Sequence, residues 1–95
     1  MKTLLMIQAR VWSLGWTKDY FNNVPGLMHE YGGQYILKAT KLELVEGEDE
    51  PWQQLLIAEF PTPESAKAFY SSAAYEPWKA LRRKHGEYRI QLVSG

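Results

Sequence analysis

Over residues 3–12, Leu5, Ile7, Ala9 and Val11 alternate with Leu4, Met6, Gln8, Arg10 and Trp12. Period-two alternation is the signature of a β-strand. This strand is apolar on one face and half-apolar on the other, and that constrains the fold, because each greasy face needs a cover. The pattern recurs in residues 52–60, where Leu56, Ala58 and Phe60 oppose Leu55, Ile57 and Glu59. It recurs again in 87–93, where Tyr88, Ile90 and Leu92 oppose Arg89, Gln91 and Val93. Residues 34–45 read as a fourth strand, with Tyr35, Leu37 and Ala39 on one face and Ile36, Lys38, Thr40, Leu42 and Leu44 on the other.

Two helical stretches separate these strands. Residues 16–31 carry Tyr20, Val24, Leu27 or Met28, and Tyr31 at helical spacing. Ser13 offers a cap, and Gly32-Gly33 ends the helix, since glycine tolerates the left-handed cap conformation. Pro25 predicts a kink or a restart. Thr62-Pro63-Glu64 opens the second stretch: Thr is a good N-cap, Pro fits the first helical position, and Glu suits the positive helix end. Ala66, Phe69, Tyr70 and Ala73 form its apolar stripe. A break is expected near Ala74-Tyr75, with a fresh start at Pro77; Trp78, Leu81 and His85 continue on one face, and Gly86 caps. Residues 46–51 form an acidic, solvated loop.

The order β-α-β-β-α-β predicts an α+β, ferredoxin-like fold: one domain over 1–95, a four-stranded antiparallel sheet with two helices on one face. The other face, with Leu4, Met6, Leu55, Ile57 and Val93, is left bare. At roughly 25 cal/mol per Å², such a patch favours association, and a two-fold pair that stacks sheet on sheet would cover it. The expected partner is therefore a second copy. Gln8, Arg10, Glu59, Arg89 and Gln91 on the same face suit an interface with a polar pocket.

Composition narrows the partners further. Lys plus Arg equals Asp plus Glu, 11 each, so no net field favours nucleic acid or an anionic membrane. There are no cysteines, hence no disulfide framework or thiolate metal site. No apolar run approaches the roughly 20 residues of a membrane span. The run at Leu4–Ile7 is too short for a signal-peptide core, which points to the cytoplasm.

The ordered set Tyr31-Gly32-Gly33-Gln34-Tyr35, Lys38, Glu43-Leu44-Val45-Glu46-Gly47, Glu59-Phe60-Pro61-Thr62, Phe69-Tyr70-Ser71-Ser72, Tyr75 and Leu81-Arg82 resembles the domain-of-unknown-function family 1330, of the dimeric α/β-barrel superfamily. The resemblance covers nearly the whole chain and implies the fold and the dimer. It departs at Gln34, where the family usually has Arg, at Ala39-Thr40, where it usually has two glycines, and in lacking an Asp-Pro start to the first helix. It implies no established reaction. Superfamily relatives include cofactor-free monooxygenases, isomerases and haem-degrading enzymes, so fold alone leaves the chemistry open.

Five residues are candidates for a site. Glu59, near the end of an apolar strand, would act as a general base if burial raised its pKa; its bland alternative is a salt bridge to Arg10, Arg82 or Arg89. Arg82 matches the family's Arg and reads either as an anion clamp with fork geometry or as one of the basic set Lys79, Arg82, Arg83 and Lys84 that complements the helix end. Arg10 adds a polar contact, and Tyr75 or Trp78 a stacking surface. Tyr20, Tyr31, Tyr35, Tyr70, Tyr75 and Trp78 read either as a ring around a pocket or, for most of them, as core, with Tyr75, at the break between helices, as the exception. In haem-degrading relatives an axial His occupies the region of His85. His29 and His85 have no ligand-spaced partner, so no metal site is expected, and no cofactor. The expected function is a homodimer binding a small organic molecule beside the open sheet face. The rivals are a cofactor-independent monooxygenase or isomerase with Glu59 as base, and an interaction domain without ligand.

Overall fold

The alternating segments form one antiparallel sheet. The computed structural model describes residues 2–48 and 52–94; Asp49, Glu50 and Pro51 of the acidic loop lie outside the described residues. The elements are β1 (Thr3–Val11), α1 (Thr17–His29), β2 (Gln34–Ala39), β3 (Gln54–Phe60), α2 (Pro63–Tyr70), α3 (Glu76–Lys84) and β4 (Gly86–Ser94). Their order in the sheet is β2-β3-β1-β4, with every pairing antiparallel. This is the ferredoxin-like plan, with three helices because the second helical stretch breaks as expected.

One face of the sheet is packed. Leu5 and Ile7 of β1 join Ala58 and Phe60 of β3, Tyr20, Val24 and Met28 of α1, Ala66 and Phe69 of α2, and Tyr75 in a single buried cluster. The register assembles the other face in rows. Leu37, Ile57, Met6 and Gln91 make one row, and Gln34, Glu59, Leu4 and Val93 the next. Those apolar side chains are half-buried or exposed within the chain.

Several local expectations are corrected. β2 ends at Ala39 rather than 45: its last pair with β3 is Ala39 opposite Leu55, and β3 itself begins only one residue earlier, at Gln54. A register shift between Tyr35 and Leu37 absorbs Ile36, so Leu37 faces the open side opposite Ile57 while Lys38 joins Tyr35 on the helix side. Simple alternation put Tyr35 and Leu37 together; a bulge moves every later side chain to the opposite face. α1 runs through Pro25 without a break. Val24 and Met28, both buried, anchor the helix on either side of the proline, and tertiary packing overrides propensity. Ser13 does not cap α1; its Oγ lies 2.6 Å from Nδ1 of His85, and Trp16 occupies the N-cap without a side-chain bond.

Thr62 does cap α2, in a reciprocal capping box with Ser65. Gly86 is not the cap of α3. His85 holds that position, and Gly86 opens β4, where a Cβ would stand 2.6 Å from the carbonyl oxygen of Arg10. Its missing side chain lets β4 close against β1. At the end of α1, Gly32 does take the left-handed conformation, with φ +82°.

Candidate functional site

Helix α3 turns a charged face inward. Tyr75, Lys79 and Arg82 follow one another at offsets of four and three, so they share one side of the helix. All three are buried, with Arg82 only 3 % exposed and Lys79 6 %. The expectation that Trp78 and Leu81 lead the packed face is corrected: both are only half-buried. Tyr75 is likewise not an exception to the core but part of it, at 2 % exposure.

Lys79 has an ordinary partner, Glu76, at 2.8 Å. Arg82 does not. Among the described residues no carboxylate lies within 4.0 Å of its guanidinium. Its Nε donates to Tyr75 Oη at 3.3 Å, and its Nη2 donates to Tyr70 Oη at 3.1 Å. Its Cζ sits 4.7 Å from the centre of the Tyr88 ring. Tyr75 Oη is also hydrogen-bonded to Tyr20 Oη. Thus a buried cation is held by neutral phenols and an aromatic face. Burying a charge is expensive unless it is paired, and these partners ease the desolvation without cancelling the charge.

The tyrosines respond to it. Burial pushes the Tyr88 hydroxyl up to about 12, with Arg82 pulling the other way. Burial pushes Tyr20 and Tyr35 up more strongly still. At Tyr70 burial also favours the neutral phenol, but the charge and hydrogen bond of Arg82, helped by Arg83, outweigh it and hold the hydroxyl below the usual tyrosine range.

Arg82 forms part of the wall of an open cleft of about 300 Å³, together with Tyr70, Arg83, Gly86, Glu87, Tyr88 and Ile90. The carboxylate of Glu87 is engaged across the sheet edge by Arg10, at 3.0 Å. On the inner side of Arg82 and Tyr88 lies a cavity of about 20 Å³, lined also by Trp16, Tyr20, Phe21 and Leu56. That is room for about one water molecule. Tyr88 Oη is buried and, among the described residues, has no hydrogen-bond partner, which leaves it a donor to offer.

The structure separates the candidates read from sequence. Arg82 and Tyr75 come together, and Trp78 lies beside them, its ring edge-on to Tyr20 at 6.2 Å. Glu59 and Arg10 lie on the other face of the sheet. Glu59, with its side chain 21 % exposed, pairs with Lys2 at 2.9 Å rather than with any of the arginines. Arg10 pairs with Glu87 and stacks on Trp52 at 4.2 Å. Glu59 is opposite Leu4, about 20 Å along β1 from Arg10. Any proton acceptor in the Arg82 cleft is therefore a different group. Sequence reading missed Tyr88, placed Lys79 in the basic set at the helix end, and weighed Tyr70 more as core than as a pocket wall. The available signal was the 75/79/82 spacing, which puts an aromatic and two cations on one helical face.

His85 sits at the C-terminus of α3, stacked against Trp16 with ring centres 5.9 Å apart; His29 is exposed. Among the described residues, no three His, Cys, Asp or Glu side chains are grouped to hold a metal ion. No helix there is long and apolar enough to cross a membrane.

A family model described as "Domain of unknown function (DUF1330)" matches residues 2–95. No curated protein matches the chain. Among solved structures, a protein of unknown function from Rhodopseudomonas palustris, RPA0582, superposes with a TM-score of 0.74 at 15 % identity, over 99 % of this chain and 82 % of that one. SnoaB, a cofactor-independent oxygenase from Streptomyces nogalater, superposes at 0.71 with 10 % identity, over 99 % of this chain and 92 % of its own. A de novo designed protein, Foldit4, reaches 0.60 at 9 % identity, over 100 % of this chain and 99 % of the design. At such identities the likeness is one of fold, and a designed protein shares it.

Proposed function

The chain belongs to the DUF1330 family, whose description assigns no activity, and from the chemistry of the site we propose that it is a single-domain homodimer binding a small organic anion in the Arg82 cleft. The observation that carries this reading is a guanidinium at 3 % exposure with no carboxylate partner among the described residues, on the wall of an open cleft. An arginine retained only for packing is normally ion-paired or has its charge at the surface. Here the unspent charge and fork geometry suit a carboxylate or enolate. The pocket thus belongs on the helix side of the sheet, not on the open face. The open face serves the dimer: Leu4, Met6, Leu37, Leu55, Ile57 and Val93 form a contiguous apolar surface that a second copy would bury.

Titration calorimetry with acetate and benzoate tests the anion site. Saturable binding is expected, weakened about tenfold or more in Arg82→Met, since each hydrogen bond to a charged group is worth about 1.5–3 kcal/mol. If neither acid nor any phenolate binds, the ligand-free interaction domain becomes the better reading. Sedimentation tests the dimer: the wild-type chain should run as a dimer and Ile57→Lys as a folded monomer.

A second reading is a cofactor-independent oxygenase. It is favoured by Tyr70, whose hydroxyl Arg82 holds below its usual pKa at the cleft wall, and by the fold shared with SnoaB. Tyr70 would accept a proton from an acidic substrate and Arg82 would hold the resulting anion. Oxygen consumption on incubation with electron-rich phenols, abolished in Tyr70→Phe, would single this reading out.

A further inference from the structure

The Arg82 cleft does not end at Ile90. A second groove, of about 310 Å³, runs on from it along β4, walled by Leu5, Ile90, Leu92, Tyr70, Ser71 and Lys67. The two depressions share Tyr70 and Ile90, so they adjoin as a trough along the β4 edge of the sheet, with Tyr70 on the wall common to both. Its halves differ in chemistry. The half near Gly86 holds Arg82 and Arg83, and its Glu87 carboxylate is already paired with Arg10. The other is walled by the helix-side residues Leu5, Ile90 and Leu92, which the register aligns on β1 and β4. Lys67 is exposed, so its methylenes can line the wall while its ammonium reaches water. From Tyr88 to Leu92 the trough follows β4 for about 13 Å. Leu92 is 37 % exposed, although it lies on the packed side of the sheet.

We infer that the ligand of this chain is an amphiphilic organic acid, its anionic head at Arg82 and Arg83 and an apolar tail laid along Ile90 and Leu92. The inference rests on the anion reading above and adds the tail. The charge complementarity of the head end and the apolar lining of the other end commit the trough to one class of occupant: a small acid leaves Leu92 wet, and a neutral hydrocarbon leaves Arg82 uncompensated.

Titrating the full chain with butanoate, hexanoate, octanoate and decanoate tests it, with decanol as the neutral control. Affinity should climb by roughly fourfold per buried methylene until the trough is filled. In Leu92→Asp, with its fold checked by circular dichroism, the ratio of decanoate to butanoate affinity should collapse. Decanol should bind at least tenfold more weakly than decanoate. Equal affinity for all four acids overturns the tail and leaves the anion site standing. Decanol binding as tightly as decanoate overturns the head. Failure of every acid to bind overturns both readings together.

Discussion

Replacing Arg82 by Met should weaken anion binding about tenfold or more while changing the stability of the chain by less than about 2 kcal/mol, a small effect for a side chain only 3 % exposed. The wild-type guanidinium contributes two hydrogen bonds from a charged donor and a cation–π contact with Tyr88. Against these stands the desolvation of a buried ion, several kcal/mol after relaxation. The opposing terms are of similar size, so removing both leaves little. Met is unbranched and adaptable, and it fills most of the vacated volume. Neither phenol is stranded: Tyr75 keeps its bond to Tyr20, and half-buried Tyr70 can turn to water. Urea unfolding followed by circular dichroism and by tryptophan fluorescence, at one protein concentration so that association does not shift the midpoint, measures the change. Phe69→Ala, in the same layer of the core, is the internal standard at about 3–5 kcal/mol. A loss from Arg82→Met that matches the standard would refute the reasoning, because the cation would then be holding the fold together rather than waiting for a counter-ion.

Further outcomes follow from the same geometry. In a tyrosinate absorbance titration, Tyr70 should ionise below the usual tyrosine range and Tyr88 near 12, and Arg82→Met should remove the Tyr70 shift. Tyr88, raised in the folded state, contributes stability below the unfolded value of about 10 that is lost as pH rises towards 12, as do Tyr20 and Tyr35; Tyr70, lowered, acts in the opposite sense over the range below 10. Chemical denaturation between pH 8 and about 12 should therefore show a net fall above about 10. Gly86→Ala should cost about 1–3 kcal/mol, because the new methyl meets the Arg10 carbonyl of a paired strand rather than a yielding side chain; an unchanged melting temperature would contradict it. Thr62→Ala should cost about 1 kcal/mol by opening the capping box, read from the same denaturation curves.

How much of this was legible in the sequence depended on whether the relevant signal was local. The alternation of β1, β3 and β4 gave away three strands and both their faces, because burial on the helix side sorts Leu5, Ile7 and Ala58 from their neighbours. The cap at Thr62 was legible because a cap is a local bond. The bulge at Ile36 was not: Tyr35, Ile36 and Leu37 are all apolar, so shifting the register by one residue changes nothing in the pattern. The site was hidden for a related reason. Periodicity rules assign cations to the solvent side of a helix, whereas α3 buries Lys79 and Arg82 against tyrosines contributed by α2, β4 and the turn before α3. Glu59 and Arg82 looked combinable because sequence does not say which side of the sheet each one reaches.

The displaced Ile36 has a consequence for how the molecule meets its neighbours. β2 is a rim of the sheet, and a straight rim is an invitation for a foreign strand to zip on. The extra residue bends this one, and the turnover of faces carries Lys38 inward over the rings of Phe21 and Tyr35, at 4.5 and 5.2 Å. An incoming strand would have to pair past a crooked ladder with an ammonium beside it. Lateral growth into fibres is thereby discouraged along that border.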